Sequence, residues 1–236
     1  MLKSKTIRSY KQYLNEIDKL KNLYPNFNFY YRGDTLSPSD QPRLFSNNNT
    51  KLESKFFRLW QKHERFFEDT KEGYRTDDFV SLATMQHYAT GTNKLLSTRL
   101  LDFTTDENVA LQFACGYPEN KKDKRTITVV CTNDKEITDV SNEVISVFMK
   151  YICCENQEDI VNTYFENEEI LSKDYFVNLK SNESFDILYT ERIRRQSGCF
   201  LLFGENKKVP YKEKGIHQLS NDSLRGRNYM GCFKRI

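Results

Sequence analysis

The stretch FNFYYRGD, residues 27–34, constrains the fold more than any other part of the chain. Aromatic residues dominate its first five positions, and such a run favours a β-strand with one side packed in a core. Arg32 ends the predicted strand at a position that the core holds rigid. Gly33 is expected to release the backbone from β geometry and to let a ligand approach without a Cβ in the way. The pattern therefore predicts an anion-binding arginine at the end of a strand.

The composition indicates a single folded domain. The chain has 236 residues, of which 38% are hydrophobic and 14% aromatic, which is enough for a substantial core. The net charge of +3 is too small to predict nucleic-acid binding. The six cysteines lack zinc-like spacing, so no metal is expected. No apolar signal segment or membrane-length run occurs, which predicts a reduced, cytoplasmic protein that makes no contact with a membrane.

Hydrophobic spacing, caps and turn residues predict an α+β domain over residues 1–236, with helices concentrated in the N-terminal half. A Thr104–Glu107 capping box predicts the start of one helix. The other predicted helices cover 5–23, 51–70, 76–88, 156–171 and 183–194. The predicted strands cover 27–32, LLSTRLLDF, 126–132, 144–149 and 198–204. Residues 34–50 are predicted to be a loop, and TGTN at 90–93 is expected to break a helix.

Three sequence blocks carry the functional signal. They are Tyr31-Arg32-Gly33, then Gln86-His87-Tyr88 with Thr98-Arg99-Leu100-Leu101-Asp102, and the late block ERIRRQSGCF at 191–200. In this combination the chain resembles the FRG-domain family over residues 28–204. The family has Gly-Leu-Pro between its second motif and TRLLD, whereas this chain has ATGTNKLLS. The connection between the two motif parts is therefore predicted to be longer here.

A second, fainter similarity is to the ADP-ribosyltransferases, and it implies a split β core that binds NAD as substrate. The resemblance implies Arg32, Thr98 and Gln196 as the catalytic residues, converging on one cleft. Residues at the three blocks would bind the dinucleotide: Tyr31, Arg32, Gly33, Gln86, His87, Tyr88, Ser97 and Arg99. In that family a glutamate occupies the place of Gln196, and glutamine cannot supply negative charge.

The chemistry of NAD explains why such residues would be needed. A guanidinium is a good bidentate partner for the diphosphate, and an aromatic ring such as Tyr31 or Tyr88 can stack on nicotinamide. Cleavage of the glycosidic bond creates a ribose cation that a carboxylate stabilises. Three acids could supply that carboxylate, and the sequence does not choose between them: Glu191, Glu205 and Asp102.

Structural roles are the alternative for several of these residues. Arg32 could pair with Asp102 or Asp34 at the edge of the sheet. Asp102 lies in an otherwise apolar strand, so it is expected to be buried and hydrogen-bonded to an arginine: Arg32, Arg99 or Arg192. Arg99 and Asp102 are three apart in a predicted strand and should point to opposite faces, so one of them would brace the fold.

The sequence thus predicts a bacterial toxin or phage-defence effector that transfers ADP-ribose to a nucleic acid or a protein, or hydrolyses NAD. An antitoxin or regulator would be a natural partner of such an effector. The first alternative is a non-catalytic module that binds a nucleotide, a nucleic acid or a protein in the same cleft. A nuclease centred on Gln86, His87 and Asp102 ranks lower, because a second histidine or an acid pair is missing.

Overall fold

The structure is a computed structural model that describes residues 3–4, 6–34, 42–46, 53, 55–59, 78–92, 98–116, 125–154, 156–179, 195–205 and 232–235. These residues form helices packed on one mixed sheet, which confirms the α+β class. In this part of the chain no helix has the length and apolar character needed to cross a membrane.

The sheet places the two strands with the motif residues next to each other. Its strands are β1 (Lys3–Ser4), β2 (Asn28–Asp34), β3 (Leu100–Thr104), β4 (Thr126–Thr132), β5 (Tyr175–Val177), β6 (Gly198–Leu202) and β7 (Cys232–Arg235). Their order is β1-β7-β4-β2-β3-β6-β5. Neighbouring strands run antiparallel except β1 and β7, which are parallel. Tyr31 of β2 is paired with Thr104 of β3, so the YRG and TRLLD motifs lie side by side.

The helices cover the sheet on both faces. They are α1 (Tyr10–Leu23), α2 (Arg43–Ser46), α3 (Asp78–Thr92), α4 (Glu107–Cys115), α5 (Glu143–Cys153), α6 (Gln157–Glu166) and α7 (Glu168–Leu171), and residues 55–59 are helical as well. Alternate residues of β2 enter two separate cores, because successive side chains of a strand point to opposite faces. Tyr31 packs with α1 and α4, whereas Tyr30 belongs to the larger core on the other face.

Gly33 has a packing role that the sequence does not predict. It continues β2 and is paired with Ile127, so it does not end the strand. A Cβ built on Gly33 would lie 1.9 Å from the main-chain oxygen of Ala110 and 2.6 Å from the main-chain nitrogen of Ala114. The backbone of α4 therefore fills the space in which a ligand was expected. The prediction that Gly33 admits a cofactor is wrong, and close packing of a helix on the strand is the reason for the glycine.

Two other predictions also differ from the structure. Residues 144–149 are predicted to be a strand but lie in α5, where Ile145, Phe148, Met149 and Ile152 are buried at helical spacing. Helix α4 begins with Asp106 as its N-cap, because the Asp106 side chain accepts hydrogen bonds from the backbone nitrogens of Asn108 and Val109. The prediction that Thr104 and Glu107 form a capping box at the start of this helix is therefore wrong.

Other boundaries move by smaller amounts. Helix α1 starts later than predicted, and the 156–171 helix is divided at Asn167 into α6 and α7. Helix α3 continues through Thr92, past the predicted break. Three helices, α5, α6 and α7, follow β4 in the C-terminal half. The predicted 183–194 helix and most of the 51–70 helix lie outside the described residues.

Gly33→Ala is expected to destabilise the protein by about 3 kcal/mol, because the new methyl group would overlap the backbone of α4, which cannot rotate away as a side chain can. Urea unfolding measures the change in free energy. Asn28→Ala, at an exposed position of the same strand, is the control and should change stability by less than about 0.5 kcal/mol. Equal stability of Gly33→Ala and the wild type would contradict the close approach of α4.

Candidate functional site

Arg32 is held by two protein acceptors at the β2–β3 boundary. Its Nη2 lies 3.1 Å from Asp34 Oδ1, and its Nη1 donates to the main-chain oxygen of Asp102 at 2.9 Å. The structural alternative of a pair with Asp34 is therefore confirmed. The side chain remains 19% exposed, and in the described part of the chain its Nε has no hydrogen-bond partner. Arg32 is thus fixed by the fold while part of it still reaches the surface.

The side chain of Gln86 connects Thr98 with Asp102. The Thr98 hydroxyl donates to Gln86 Oε1 at 2.6 Å, and Gln86 Nε2 donates to Asp102 Oδ2 at 2.9 Å. The same hydroxyl accepts the backbone N–H of Leu100 at 3.1 Å. Helix α3 and the start of β3 are therefore tied together by one amide side chain.

Arg32, Gln86, Thr98 and Asp102 form a continuous set of contacts, which we call the polar cluster. Arg32 enters it through the Asp102 carbonyl, and Gln86 enters it through the Asp102 carboxylate. Arg32, Gln86 and Asp102 are each partly exposed, whereas Thr98 is buried. Arg32 and Gln86 are the members that a ligand can reach, because the Asp102 Oδ1 atom is buried and its Oδ2 atom is bonded to Gln86. Thr98 is a positioning residue, since its hydroxyl is occupied by Gln86 and Leu100.

The prediction that Asp102 is buried and hydrogen-bonded to an arginine is only partly correct. It is half-buried rather than buried. Its contact with Arg32 is made by the main-chain oxygen, while Gln86 bonds the carboxylate. Arg192, another predicted partner, lies outside the described residues.

Tyr31 does not line this site. It lies on the face of β2 opposite Arg32, is fully buried against α1 and α4, and packs near Phe29 with ring centroids 6.5 Å apart. Burial raises the pKa of its hydroxyl well above the usual value. The prediction that Tyr31 stacks on nicotinamide is therefore wrong, because the core already covers its ring.

Arg99 is likewise a core residue and not a cofactor ligand. Its Nε donates to Glu53 Oε1 at 2.8 Å, its Nη1 donates to the Phe203 carbonyl at 3.1 Å, and its Nη2 contacts both Glu53 and Glu205. The side chain has no exposed surface. The prediction that Arg99 binds the cofactor is wrong, because carboxylates and a carbonyl of the protein surround the guanidinium. Arg99 is the member of the Arg99–Asp102 pair that braces the fold.

The surroundings of Arg99 explain how a charge is tolerated there. The guanidinium carbon lies 5.3–5.9 Å from the ring centroids of Phe45, Phe148 and Tyr151. Burial alone would lower the pKa of Arg99, but Glu53 and Glu205 raise it overall. Burial raises the pKa of the Glu53 carboxyl, and the adjacent guanidinium opposes that rise. The pair is stable only with both partners present.

Gln196 lies at the other end of β3. Its main-chain oxygen accepts a hydrogen bond from the Thr104 hydroxyl at 2.7 Å. Thr98 and Thr104 are six residues apart, which corresponds to about 20 Å of extended chain. Thr104 is only two residues from Asp102 and is paired with Tyr31, so Gln196 lies on the Arg32–Asp102 side of the polar cluster and far from Thr98. Four other predicted site residues lie wholly or partly outside the description: Ser97 and Glu191 entirely, and His87 and Tyr88 in their side chains.

Two features of the site have no clear sequence signal. Glu53 is the buried partner of Arg99 although it lies 46 residues earlier, in a segment with many other charges. The orientation of the Gln86 amide follows from Thr98 and Leu100, which the motif spacing does not reveal. In the ranges that the structure describes, no group of three or more His, Cys, Asp or Glu residues is arranged to hold a metal ion.

Comparison with protein families agrees with the motif assignment. Residues 27–124 match the family model of the FRG domain, which confirms the predicted FRG-domain resemblance for that part of the chain. The match contains the whole polar cluster and ends before the late 191–200 block. No curated protein and no solved structure matches the chain significantly.

Arg99→Met is expected to destabilise the protein by about 3–5 kcal/mol, because Glu53 would remain as a buried carboxylate without its counter-charge. Chemical unfolding of the two single variants and of Arg99→Met/Glu53→Met measures the coupling. The double variant should be less destabilised than the sum of the single variants. Lys173→Met, which removes a partner of the exposed Lys173–Glu169 pair, is the control and should have little effect. If the effects of the two single substitutions simply added, Arg99 and Glu53 would not stabilise the fold as a pair.

Proposed function

We propose that this FRG-domain protein binds NAD at the polar cluster and cleaves its nicotinamide–ribose bond, either transferring ADP-ribose to a macromolecule or hydrolysing NAD. The observation that carries the proposal is the contact set itself. The guanidinium of Arg32, the amide of Gln86 and the carboxylate of Asp102 come from three separate motif segments and belong to one set of contacts. These groups match the diphosphate, the hydroxyls and the developing cationic sugar of NAD.

The proposal assigns different parts of NAD to different residues. Arg32 is held in place by Asp34 and the Asp102 carbonyl, and a planar guanidinium presents further N–H groups to the diphosphate. Gln86 lies between Thr98 and Asp102, and in this proposal the second N–H of its amide donates to a ribose hydroxyl. An ADP-ribosyltransferase-like split core would then be built around β2 and β3.

In the cell, we propose that the protein acts as a bacterial toxin or phage-defence effector in the cytoplasm. Its target would be a nucleic acid or a protein, with NAD as the donor. An antitoxin or regulator would be required to restrain such an activity, since NAD is present in every cell.

A second candidate function is a non-catalytic module that binds a nucleotide, a nucleic acid or a protein at the same cluster. The pairing of Arg32 with Asp34 favours the protein-binding form of this module, because that pair offsets the charge needed to attract a phosphate group. The two functions differ in whether nicotinamide is released.

NAD at about 100 times its dissociation constant should raise the melting temperature of the wild type by roughly 5–10 °C, because binding stabilises the folded state by about 2.7 kcal/mol. Arg32→Lys should lose most of that shift, since lysine keeps the charge but loses the planar fork. Arg32→Ala should lose it entirely. Thermal melts with and without NAD measure both effects.

Arg125→Lys is the matched control for these melts. Its guanidinium also bonds protein acceptors, the carbonyls of Ala114 and Cys115, but at the end of α4 rather than in the polar cluster. The variant should melt lower and keep the full NAD shift. A wild-type protein that shows no NAD shift, together with an Arg32→Ala variant that fails to fold, would leave Arg32 as a structural residue and remove the dinucleotide proposal.

A further inference from the structure

Two cysteines lie opposite each other on neighbouring strands of the sheet. Cys131 of β4 is paired with Cys232 of β7, at one end of a register of four residue pairs. Directly opposite residues of an antiparallel pair lie on the same face of the sheet. Because the two cysteines are far apart in the sequence, their spacing does not predict this juxtaposition. The fold therefore brings together two residues that can form a covalent bond with each other.

The backbone geometry of this pair suits a disulfide. Opposite residues of antiparallel strands have Cα atoms about 4.5–5.5 Å apart, depending on whether the pair exchanges hydrogen bonds. The Cα atoms of a disulfide are usually about 4.4–6.8 Å apart, so both kinds of pair fall within the range. A bond between Cys131 and Cys232 therefore needs no change in the register of β4 and β7. Cys199 of β6 is paired with Phe103 instead.

The position of β7 in the sheet determines how an oxidant reaches the pair. Cys131 is a thiol without exposed surface in this structure. Strand β7 has four residues, and on the side away from β4 its Lys234 and Arg235 pair with β1. Among the described strands, Cys232 is therefore paired on the β4 side alone. A short strand near the edge of a sheet opens more readily than a central strand, so the reaction begins at Cys232.

We propose that Cys131 and Cys232 form a reversible disulfide that joins β7 to β4 under oxidising conditions. The oxidant is a small-molecule disulfide such as oxidised glutathione. The Cys232 thiolate attacks one sulfur of the oxidant and releases the first glutathione, and the Cys131 thiolate then attacks the Cys232 sulfur and releases the second. Two electrons pass from the protein to the oxidant, and the protons of the two protein thiols end on the two released glutathione thiols. This crosslink is independent of the NAD chemistry proposed above.

The crosslink would make the folded state more stable in the oxidised protein. It closes a loop of about 100 residues, which restricts the unfolded chain. It also holds β7 against β4, the strand that pairs with β2 on its other side and places Thr128 opposite Arg32. We expect oxidation to raise the melting temperature by roughly 5–15 °C and dithiothreitol to reverse the rise.

The test combines peptide mapping with thermal melts of the full chain. The folded protein is incubated with oxidised glutathione, the remaining thiols are blocked with iodoacetamide, and the protein is digested with trypsin. Cleavage after lysine and arginine gives peptide 126–135, whose one cysteine is Cys131, and peptide 228–234, whose one cysteine is Cys232. Mass spectrometry should find these two peptides joined, at the sum of their masses less two hydrogens. Dithiothreitol should separate them.

Three alanine variants complete the test. Cys131→Ala and Cys232→Ala should each lose the joined peptides and the rise in melting temperature, and Cys232→Ala decides the matter if Cys131→Ala does not fold. Cys199→Ala, which removes another buried strand cysteine, is the matched control and should keep both. Peptide 228–234 bonded to glutathione alone, or to a peptide other than 126–135, would overturn the proposal. So would a crosslinked protein that melts no higher than the reduced one, because the bond would then not form between paired strands.

Discussion

The buried guanidinium of Arg99 is the interaction around which the described core is arranged. A charge with no exposed surface is tolerated only when counter-charges and hydrogen-bond acceptors surround it. Glu53 and Glu205 supply the counter-charges, and the Phe203 carbonyl accepts a further hydrogen bond. These contacts fix the start of β3 against segments that are distant in sequence. The position of β3 in turn determines where Thr98 and Asp102 lie.

Residues close together in the TRLLD motif therefore serve two different purposes. Arg99 faces the core and holds the strand, whereas Thr98 and Asp102 face Gln86 and form the polar cluster. Strand β2 shows the same difference between adjacent residues. Tyr31 packs in the core against α1 and α4, whereas Arg32 contacts Asp34 and the Asp102 carbonyl on the opposite face. The alternation of side chains along a strand explains how a short motif can brace a fold and build a site together.

The sequence predicts elements best where local pattern and tertiary packing agree. The β-branched run Thr126–Thr132 is a strand as predicted, because it lies in the middle of the sheet between β2 and β7. The segment 144–149 is also β-branched, yet it is helical because Asn142 caps it and its apolar residues recur at helical spacing. In this segment the β-branched composition favours a strand, but the N-cap and the helical spacing of the apolar residues favour the helix that forms.

The site is harder to predict from the sequence than the fold. Residues of the same type have different roles there, and the role depends on which distant residues each one contacts. Arg32 and Arg99 both stand in strand motifs, and the difference between them depends on Glu53, which is 46 residues from Arg99. Gly33 suggests ligand access in the sequence, but the backbone of α4 occupies that space. Long-range contacts of this kind are not encoded in a short motif.

The central claim is that the FRG-domain motif residues form a site for NAD at the junction of β2, β3 and α3. A crystal structure with a carbocyclic NAD analogue, whose nicotinamide bond resists cleavage, tests this claim most directly. The claim predicts the ribose that bears nicotinamide beside Gln86 and the diphosphate beside Arg32. An analogue bound away from these residues, or no bound analogue at saturating concentration, would contradict it.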